Sequence, residues 1–264
     1  PHESKVTIDD ISKNHAKSRP QPAMLKRADG NAVLRILCHV AFAALSFAYS
    51  FFMLNVNTNI FYVFVAGNLL LVGVHALCEL NAKLPKVIPN MLMFLTFVWN
   101  ITFCCEVMGN GAISYVFSVK LLLNMALYAS PYILLYAITG SVKASAIPTA
   151  IIWFAASSAN MFLTELRGRP LFMSDLFSIG TALNVANQYT VDITAFYILT
   201  LLYITVMIVY FGILEKAHEK GYFKFKWYTR LSINIPVLII ICLAMSSSTF
   251  LKAAGVSPYF WSHK

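Results

Sequence analysis

Charge is what this chain has least of. Only 12% of its 264 residues are Asp, Glu, Lys or Arg, about half the share of a soluble domain. That excludes an ordinary water-exposed globular surface. Short alternating apolar and polar segments are missing too, which excludes a transmembrane β-barrel. No phosphate-binding Gly-rich loop, Gly-x-Ser-x-Gly, His-Glu-x-x-His or paired-carboxylate motif is present, so the chain holds no self-sufficient catalytic site. The five cysteines, Cys38, Cys78, Cys104, Cys105 and Cys242, lack zinc or redox spacing. They read as small buried hydrophobes. His39, His75 and His218 are scattered and show no ligand spacing. No internal repeat is visible, which weakens an inverted-repeat transporter reading, and no signal-peptide cleavage pattern precedes the first apolar run.

What is abundant is apolar length. Hydrophobic residues make up 59% of the chain, in recurring runs of 18 or more. Each run is long enough to cross a hydrocarbon core of about 30 Å as a helix. The expected fold is an all-α polytopic transmembrane bundle with seven spans, near 35–54, 59–80, 87–108, 113–139, 145–164, 191–214 and 231–250. Residues 1–30 form a polar, basic tail with Pro20 and Pro22 and no apolar stripe, expected to be disordered. Residues 31–254 are the transmembrane domain and 255–264 begin a linker. The first residue is proline, so a longer parent chain is expected.

The net charge of +9 raises nucleic acid as a partner, but its distribution points to membrane topology and no nucleic acid is expected. The tail, counted with Arg35, and the connections near 81–86, 140–144 and 215–230 hold fifteen lysines and arginines; the opposite side holds four, Arg167, Arg169, Lys252 and Lys264. Positive loops stay inside. The N-terminus is therefore expected in the cytoplasm and, after seven crossings, the C-terminus outside. The loop "EKAHEKGYFKFKWYTR" reads as a juxtamembrane anchor on anionic lipid. Pro89 and Pro148 are placed in first turns, Pro131 beside Ser130 is expected to kink the fourth span, and "AASSA" at 155–159 offers close helix contact.

The remaining charges gather on the outer side: Glu106, Lys120, Glu165, Arg167, Arg169 and Asp175. A short "GNGA" connection sets Glu106 and Lys120 at similar depth, which makes an ion pair expected there. The bland alternative is that Lys120 snorkels to the interface. From Phe172, Leu176, Ile179 and Leu183 recur at helical spacing, while Ser174, Ser178, Thr181, Asn184 and Gln188 share another face. Ser174 suits an N-cap. This makes 165–190 an expected interfacial amphipathic helix, re-entrant or lying on the surface, between the fifth and sixth spans. Arg167 and Arg169 precede it in an Arg-Gly-Arg-Pro turn able to hold a phosphate. The bland alternative is a connector whose arginines meet bulk headgroups.

The stretch "FLTELRGRPLFMSDLFSIGTALNVANQY" resembles the segment "FRGTP…PSDLFS…TALNVA…Y" of bacterial lipoteichoic acid synthase-like proteins, in the alkaline phosphatase/sulfatase superfamily. The resemblance lies on Arg167, Gly168, Pro170, Ser174, Asp175, Leu176, Thr181, Ala182, Asn184 and Val185. "GVSPYFW" at 255–261 is similar to a phrase found just past the last span of that family. Arg169 and Met173 depart from the pattern, which often has threonine and proline there. The resemblance implies a membrane domain joined to an extracellular catalytic domain, absent from this chain, with a threonine nucleophile and a divalent metal, Mn or Mg. Such enzymes transfer phosphoglycerol, or a related phospho-alcohol, from a membrane lipid. It implies a multi-pass protein of the bacterial cell membrane whose partners are that catalytic domain and anionic phospholipid such as phosphatidylglycerol.

The resulting expectation is a membrane domain that anchors the catalytic domain and presents the lipid at the outer leaflet. Its candidate lipid-phosphate residues are Arg167, Arg169 and Lys120, supported by Glu106, Glu165, Ser174, Asp175 and Asn184. Two other classes stand beside it: a small-solute or lipid transporter, which would need a polar central cavity, and a membrane anchor without a lipid site.

Overall fold

The computed structural model describes residues 30–53, 58–80, 87–110, 119–168, 195–217 and 227–253. Among these the chain is helical except at Gly140, Ser141, Gly168 and Ser247. The helices are α1 (Gly30–Met53), α2 (Thr58–Leu80), α3 (Val87–Asn110), α4 (Val119–Thr139), α5 (Val142–Arg167), α6 (Ala195–Ala217), α7 (Trp227–Ser246) and α8 (Ser248–Ala253). Six of them, α1 to α6, are long and apolar enough to cross a membrane. The apolar part of α7, Arg230–Ser246, is shorter. The protein is thus a multi-pass helical bundle. The six long helices stand where the sequence sets spans one to six. The segments 113–118, 191–194 and 169–190, and with them most of the expected interfacial helix, lie outside the described residues.

Cross-links between helices fix their directions. At one end, here called distal, α1 finishes beside the start of α6, and α3 finishes beside the start of α4. At the other, basal end, α6 finishes beside the start of α5, and α7 starts beside the end of α4. The helices therefore alternate in direction.

α3 is the centre. It packs against α2, α4, α5 and α6. Within its span 72% of residues are buried, against 28–39% in the other five. In lipid, apolar surface gives no reason for a helix to be inside, because the solvent is equally apolar. Polar and small side chains do, since burying them against partners removes them from hydrocarbon. α3 carries Thr96, Asn100, Thr102, Cys104, Cys105 and Glu106, all buried. The Thr96 and Thr102 hydroxyls donate to the Leu92 and Val98 carbonyls one turn back, both at 2.7 Å, which satisfies them within the helix. The small stretch at 155–159 does bring α5 close to α3. Ser157 and Ser158 are buried, and the Asn160 amide donates to the Gly109 carbonyl at 2.7 Å.

Proline placement is corrected in one case. Pro89 is the third residue of α3, in its first turn, as expected. Pro148 lies inside α5, because that helix starts at Val142 and not near 145. The earlier start follows from Ser141, an N-cap whose hydroxyl accepts from the Ala144 amide. Pro131 also lies inside its helix, and α4 continues through it. Lacking an N–H, Pro131 leaves the Leu127 carbonyl without its usual donor. The Ser130 hydroxyl supplies one, at 2.8 Å.

A second packing device joins α1 to α6. Phe42 and Tyr49 are seven residues apart, as are Tyr203 and Tyr210. Their rings interleave as Tyr49, Tyr203, Phe42 and Tyr210, with successive centroids 4.2, 6.1 and 4.2 Å apart and planes within 14° of parallel. A seven-residue repeat keeps one stripe facing the partner helix, as in coiled-coil packing.

Candidate functional site

At the distal end, α3, α4 and α5 converge. Glu106 is buried, 5% exposed, one turn below the end of α3. Its Oε1 accepts from the Asn124 amide at 3.0 Å and from the Tyr128 hydroxyl at 3.1 Å. Lys120, Asn124 and Tyr128 recur every four residues and so share one face of α4. The hairpin therefore turns the expected face of α4 toward Glu106, but the residues that reach the carboxylate are one and two turns deeper than Lys120. The bonds described for Glu106 go to Asn124 and Tyr128 and not to Lys120, which is half-buried in the first turn of α4. The physical reason is depth: a buried carboxylate takes the polar donors at its own level, while the ammonium sits nearer the helix start.

Glu165 is exposed on the last turns of α5. Arg167 is the last residue of that helix. Gly168 follows in the left-handed region, φ 66°, and its N–H donates to the Thr164 carbonyl at 2.9 Å. Only glycine adopts this conformation without cost, so Gly168 stops the helix and opens the Arg-Gly-Arg-Pro turn. Arg169, Ser174, Asp175 and Asn184 lie outside the described residues. So of the expected phosphate-binding set, the described structure gives the level at which the turn begins, above the α3–α5 contact at Gly109 and Asn160.

Sequence reasoning missed the polar middle of the bundle. His39 and His75 are not scattered. They are almost fully buried, with ring centroids 4.6 Å apart, and His39 Nδ1 lies 2.7 Å from the Tyr210 hydroxyl. Nearer the centre runs a chain of bonds across four helices. The Asn100 amide nitrogen donates to Asn68 Oδ1 and to the Thr96 carbonyl, both at 2.8 Å. Its oxygen is therefore the acceptor, and the Tyr203 hydroxyl donates to it. The Tyr203 oxygen is then open to Ser46 Oγ, 2.8 Å away. Asn68 passes the chain on to the Phe64 carbonyl at 3.2 Å. The tyrosine on α6 and the two asparagines on α3 and α2 are thus ordered donor to acceptor, and the serine on α1, whose hydroxyl donates to the Phe42 carbonyl at 2.8 Å, lies against the tyrosine oxygen. Such a network is what makes buried polar groups tolerable in lipid.

The basal end holds a third polar group. Glu215, near the end of α6, accepts from the Val142 and Lys143 amides, both at 2.9 Å. Close by, a cavity of about 350 Å³ opens between α3, α4 and α7. Among the described residues, no group of three or more His, Cys, Asp or Glu is arranged to hold a metal ion. The described arrangement has the means to order helices and to meet lipid headgroups at either end.

The chain matches no protein-family model, no curated protein and no solved structure. The plain statement that the described structure permits is a multi-pass helical membrane protein.

Proposed function

We propose that this chain is the membrane domain of a lipoteichoic acid synthase-like phosphoglycerol transferase of the bacterial cell membrane. In this reading it anchors an extracellular catalytic domain and presents a donor lipid, an anionic phospholipid such as phosphatidylglycerol, from the outer leaflet. The observation that carries it is the segment from Glu165 to Tyr189, whose Arg-Gly-Arg-Pro turn and following amphipathic stripe resemble that family. α5 ending at Arg167 with a left-handed Gly168 is the local geometry such a turn needs. Arg167 and Arg169 would hold the lipid phosphate, with Lys120 nearby. Ser174 and Asp175 would order the start of an interfacial helix, with Asn184 on its polar face. Glu106 and Glu165 would support the site. Mn or Mg, with the transfer chemistry, would belong to the catalytic domain.

Two further elements complete the reading. A seventh crossing would be made by α7 with α8. Ser247 interrupts the helix, yet its N–H still donates to the Leu243 carbonyl at 3.0 Å and its carbonyl accepts from Leu251 at 2.9 Å. Together Trp227–Ser246 and Ser248–Ala253 approach about 40 Å at 1.5 Å per residue. With the N-terminus cytoplasmic, as the charge asymmetry favours, the basal end faces the cytoplasm and the C-terminus emerges outside. The lipid-presenting role is tested in the enzyme carrying its catalytic domain. Changing Arg167 and Arg169 together to Gln should lower transfer from lipid and leave cleavage of a soluble substrate near wild type. Equal loss of both activities, or loss of neither, refutes presentation and favours a plain anchor.

A further inference from the structure

The cavity at the basal end has an unusual combination of walls. Apolar side chains, among them Phe94 of α3, Ile133 of α4 and Ile233 and Val237 of α7, make up most of its lining. Three polar side chains interrupt them, Asn90, Arg230 and Asn234, the last with its amide nitrogen donating to the Arg230 carbonyl at 2.8 Å. The Asn90 amide nitrogen and Arg230 Nε are both buried and have no hydrogen-bond partner. Native structures seldom leave such atoms unused, and an orphan donor in a cavity points to something that fills it.

The surroundings of Arg230 narrow the choice. Its Nη2 makes a long 3.4 Å bond to the Ile138 carbonyl at the end of α4. Its guanidinium lies where a side chain on Gly140 would be, so the α4–α5 turn is shaped around it. Glu215, the nearby acid, is committed through both oxygens to the first amides of α5. The cation is thus held in place and offers donors to an anion. A guanidinium fits phosphate in particular, through paired N–H bonds.

The cavity also opens sideways. Ile233 is 55% exposed and Val237 40%, so the wall that lines the cavity continues onto the lipid-facing surface. Among the described helices, α7 packs against α4 and its own continuation α8. Trp227 and Tyr228, both exposed, stand just before Arg230, as aromatic residues do at headgroup level. A cation at headgroup depth, above an apolar cleft open to the acyl region, has the amphipathic form of a phospholipid. The volume lies within the range of about 300–1,000 Å³ usual for small-molecule sites.

We propose that this cavity binds one anionic phospholipid of the leaflet at the basal end. Its phosphate meets Arg230 and Asn90, and one acyl chain lies in the cleft between α4 and α7. The site is at the opposite end of the bundle from the Arg167–Arg169 turn, and the proposal does not rest on the transferase reading. It stands or falls by itself.

The experiment is lipid titration of the whole purified chain in detergent, followed by native mass spectrometry. The probes are phosphatidylglycerol and phosphatidylcholine of matched acyl length. Wild type should hold one phosphatidylglycerol about tenfold more tightly than phosphatidylcholine, a preference worth one charge-assisted contact. Arg230→Gln should abolish that preference, and Asn90→Leu should reduce it. Val237→Phe, which fills the cleft from an exposed position and leaves the charge alone, should weaken both lipids. Should Arg230→Gln fail to fold, the Asn90 and Val237 variants still decide. Equal affinity for the two lipids overturns the proposal. So does a Val237→Phe protein that binds like wild type, or displacement of the lipid by millimolar inorganic phosphate, which would assign a free-anion site. An Arg230→Gln protein that is less stable but keeps its lipid preference also overturns it, and would make Arg230 a cap for α4.

Discussion

Glu215→Ala tests whether α6 holds the start of α5. The first amides of a helix have no partner inside it, and near a membrane interface water reaches them poorly. Here each has one: Ser141 donates to the Thr139 hydroxyl at 3.3 Å, Val142 and Lys143 to Glu215 at 2.9 Å, and Ala144 to the Ser141 hydroxyl at 3.2 Å. Glu215 supplies two of the four, from another helix. A hydrogen bond to a charged group contributes about 1.5–3 kcal/mol, and a carboxylate at a helix N-terminus adds about 0.3–1 kcal/mol. Glu215 is half-buried, so water replaces part of what is lost. The expected cost of Glu215→Ala is about 2–4 kcal/mol. Glu215→Gln keeps an acceptor oxygen and loses the charge, and should fall between, at about 1–2 kcal/mol.

Equilibrium unfolding in mixed micelles reads these differences directly. Glu165→Ala is the control. That residue is exposed at the distal end of α5, and its loss should stay within about 0.5 kcal/mol. Two results refute the reasoning. If Glu215→Ala is as stable as wild type, Ser141 and water suffice for α5. If Glu215→Gln costs as much as Glu215→Ala, the packing of the side chain matters and its charge on the helix terminus does not.

The same unfolding assay serves three further changes. Asn100→Leu should cost about 1–3 kcal/mol, because it leaves the Asn68 oxygen unpaired in the core and removes the acceptor of the Tyr203 hydroxyl; an unchanged midpoint would mean the polar chain adds nothing. Gly67→Ala should cost about 1–3 kcal/mol by overpacking, since the new methyl would meet the Trp99 indole, and a smaller ring at 99 should recover part of it. Gly140→Ala should cost at least about 1–3 kcal/mol, because Gly140 has φ 69° and the Arg230 guanidinium occupies the space of its missing side chain; a neutral result would show that the turn and Arg230 relax freely. For topology, a cysteine placed at position 262 should be labelled by an impermeant reagent in intact cells, and labelling only after permeabilisation would sink the seven-crossing arrangement.

The long helices were legible because span length is a direct property of sequence: an apolar run is either long enough for a bilayer or not. The stop at Gly168 follows from glycine's freedom in the same local way. The interior was harder, because in lipid the apolar pattern carries no information about which face is inside. His39 and His75 illustrate this. They are 36 positions apart and each looks isolated. A usable signal did exist. His39 lies nine residues into α1 and His75 five residues from the end of α2, so an antiparallel pair sets them at neighbouring depths. Asn68, Asn100, Ser46 and Tyr203 carry the same kind of signal. Polar residues at matching depth on successive spans are candidates to meet. Glu215 was hidden for another reason. Counted into a basic loop, it looked like one more interfacial charge, and only the packing of α6 on α5 gives it the amides of Val142 and Lys143.

The distribution of polar contacts divides the bundle. α1, α2, α3 and α6 are joined by the chain through Ser46, Tyr203, Asn100 and Asn68, by the His39–Tyr210 bond and by the stacked rings. α4 and α5 are tied to that unit by Glu106, Asn160 and Glu215. α7 meets α4 mostly through apolar side chains. In water such a contact would be driven by hydrophobic burial. In lipid that drive vanishes, and close packing and polar contacts must hold the helix. The cavity between α3, α4 and α7 removes part of the packing. The bond from Arg230 to Ile138 is long at 3.4 Å. α7 is therefore the helix whose position depends most on what occupies the cavity beside it. It is also the helix that leads to the phrase at 255–261. A lipid in that cavity would stabilise the attachment of α7 by adding contacts to both walls at once, a coupling that follows from binding the assembled form alone. Stability measured with and without phosphatidylglycerol should then separate in wild type and converge in Val237→Phe, where the added ring already bridges the cleft.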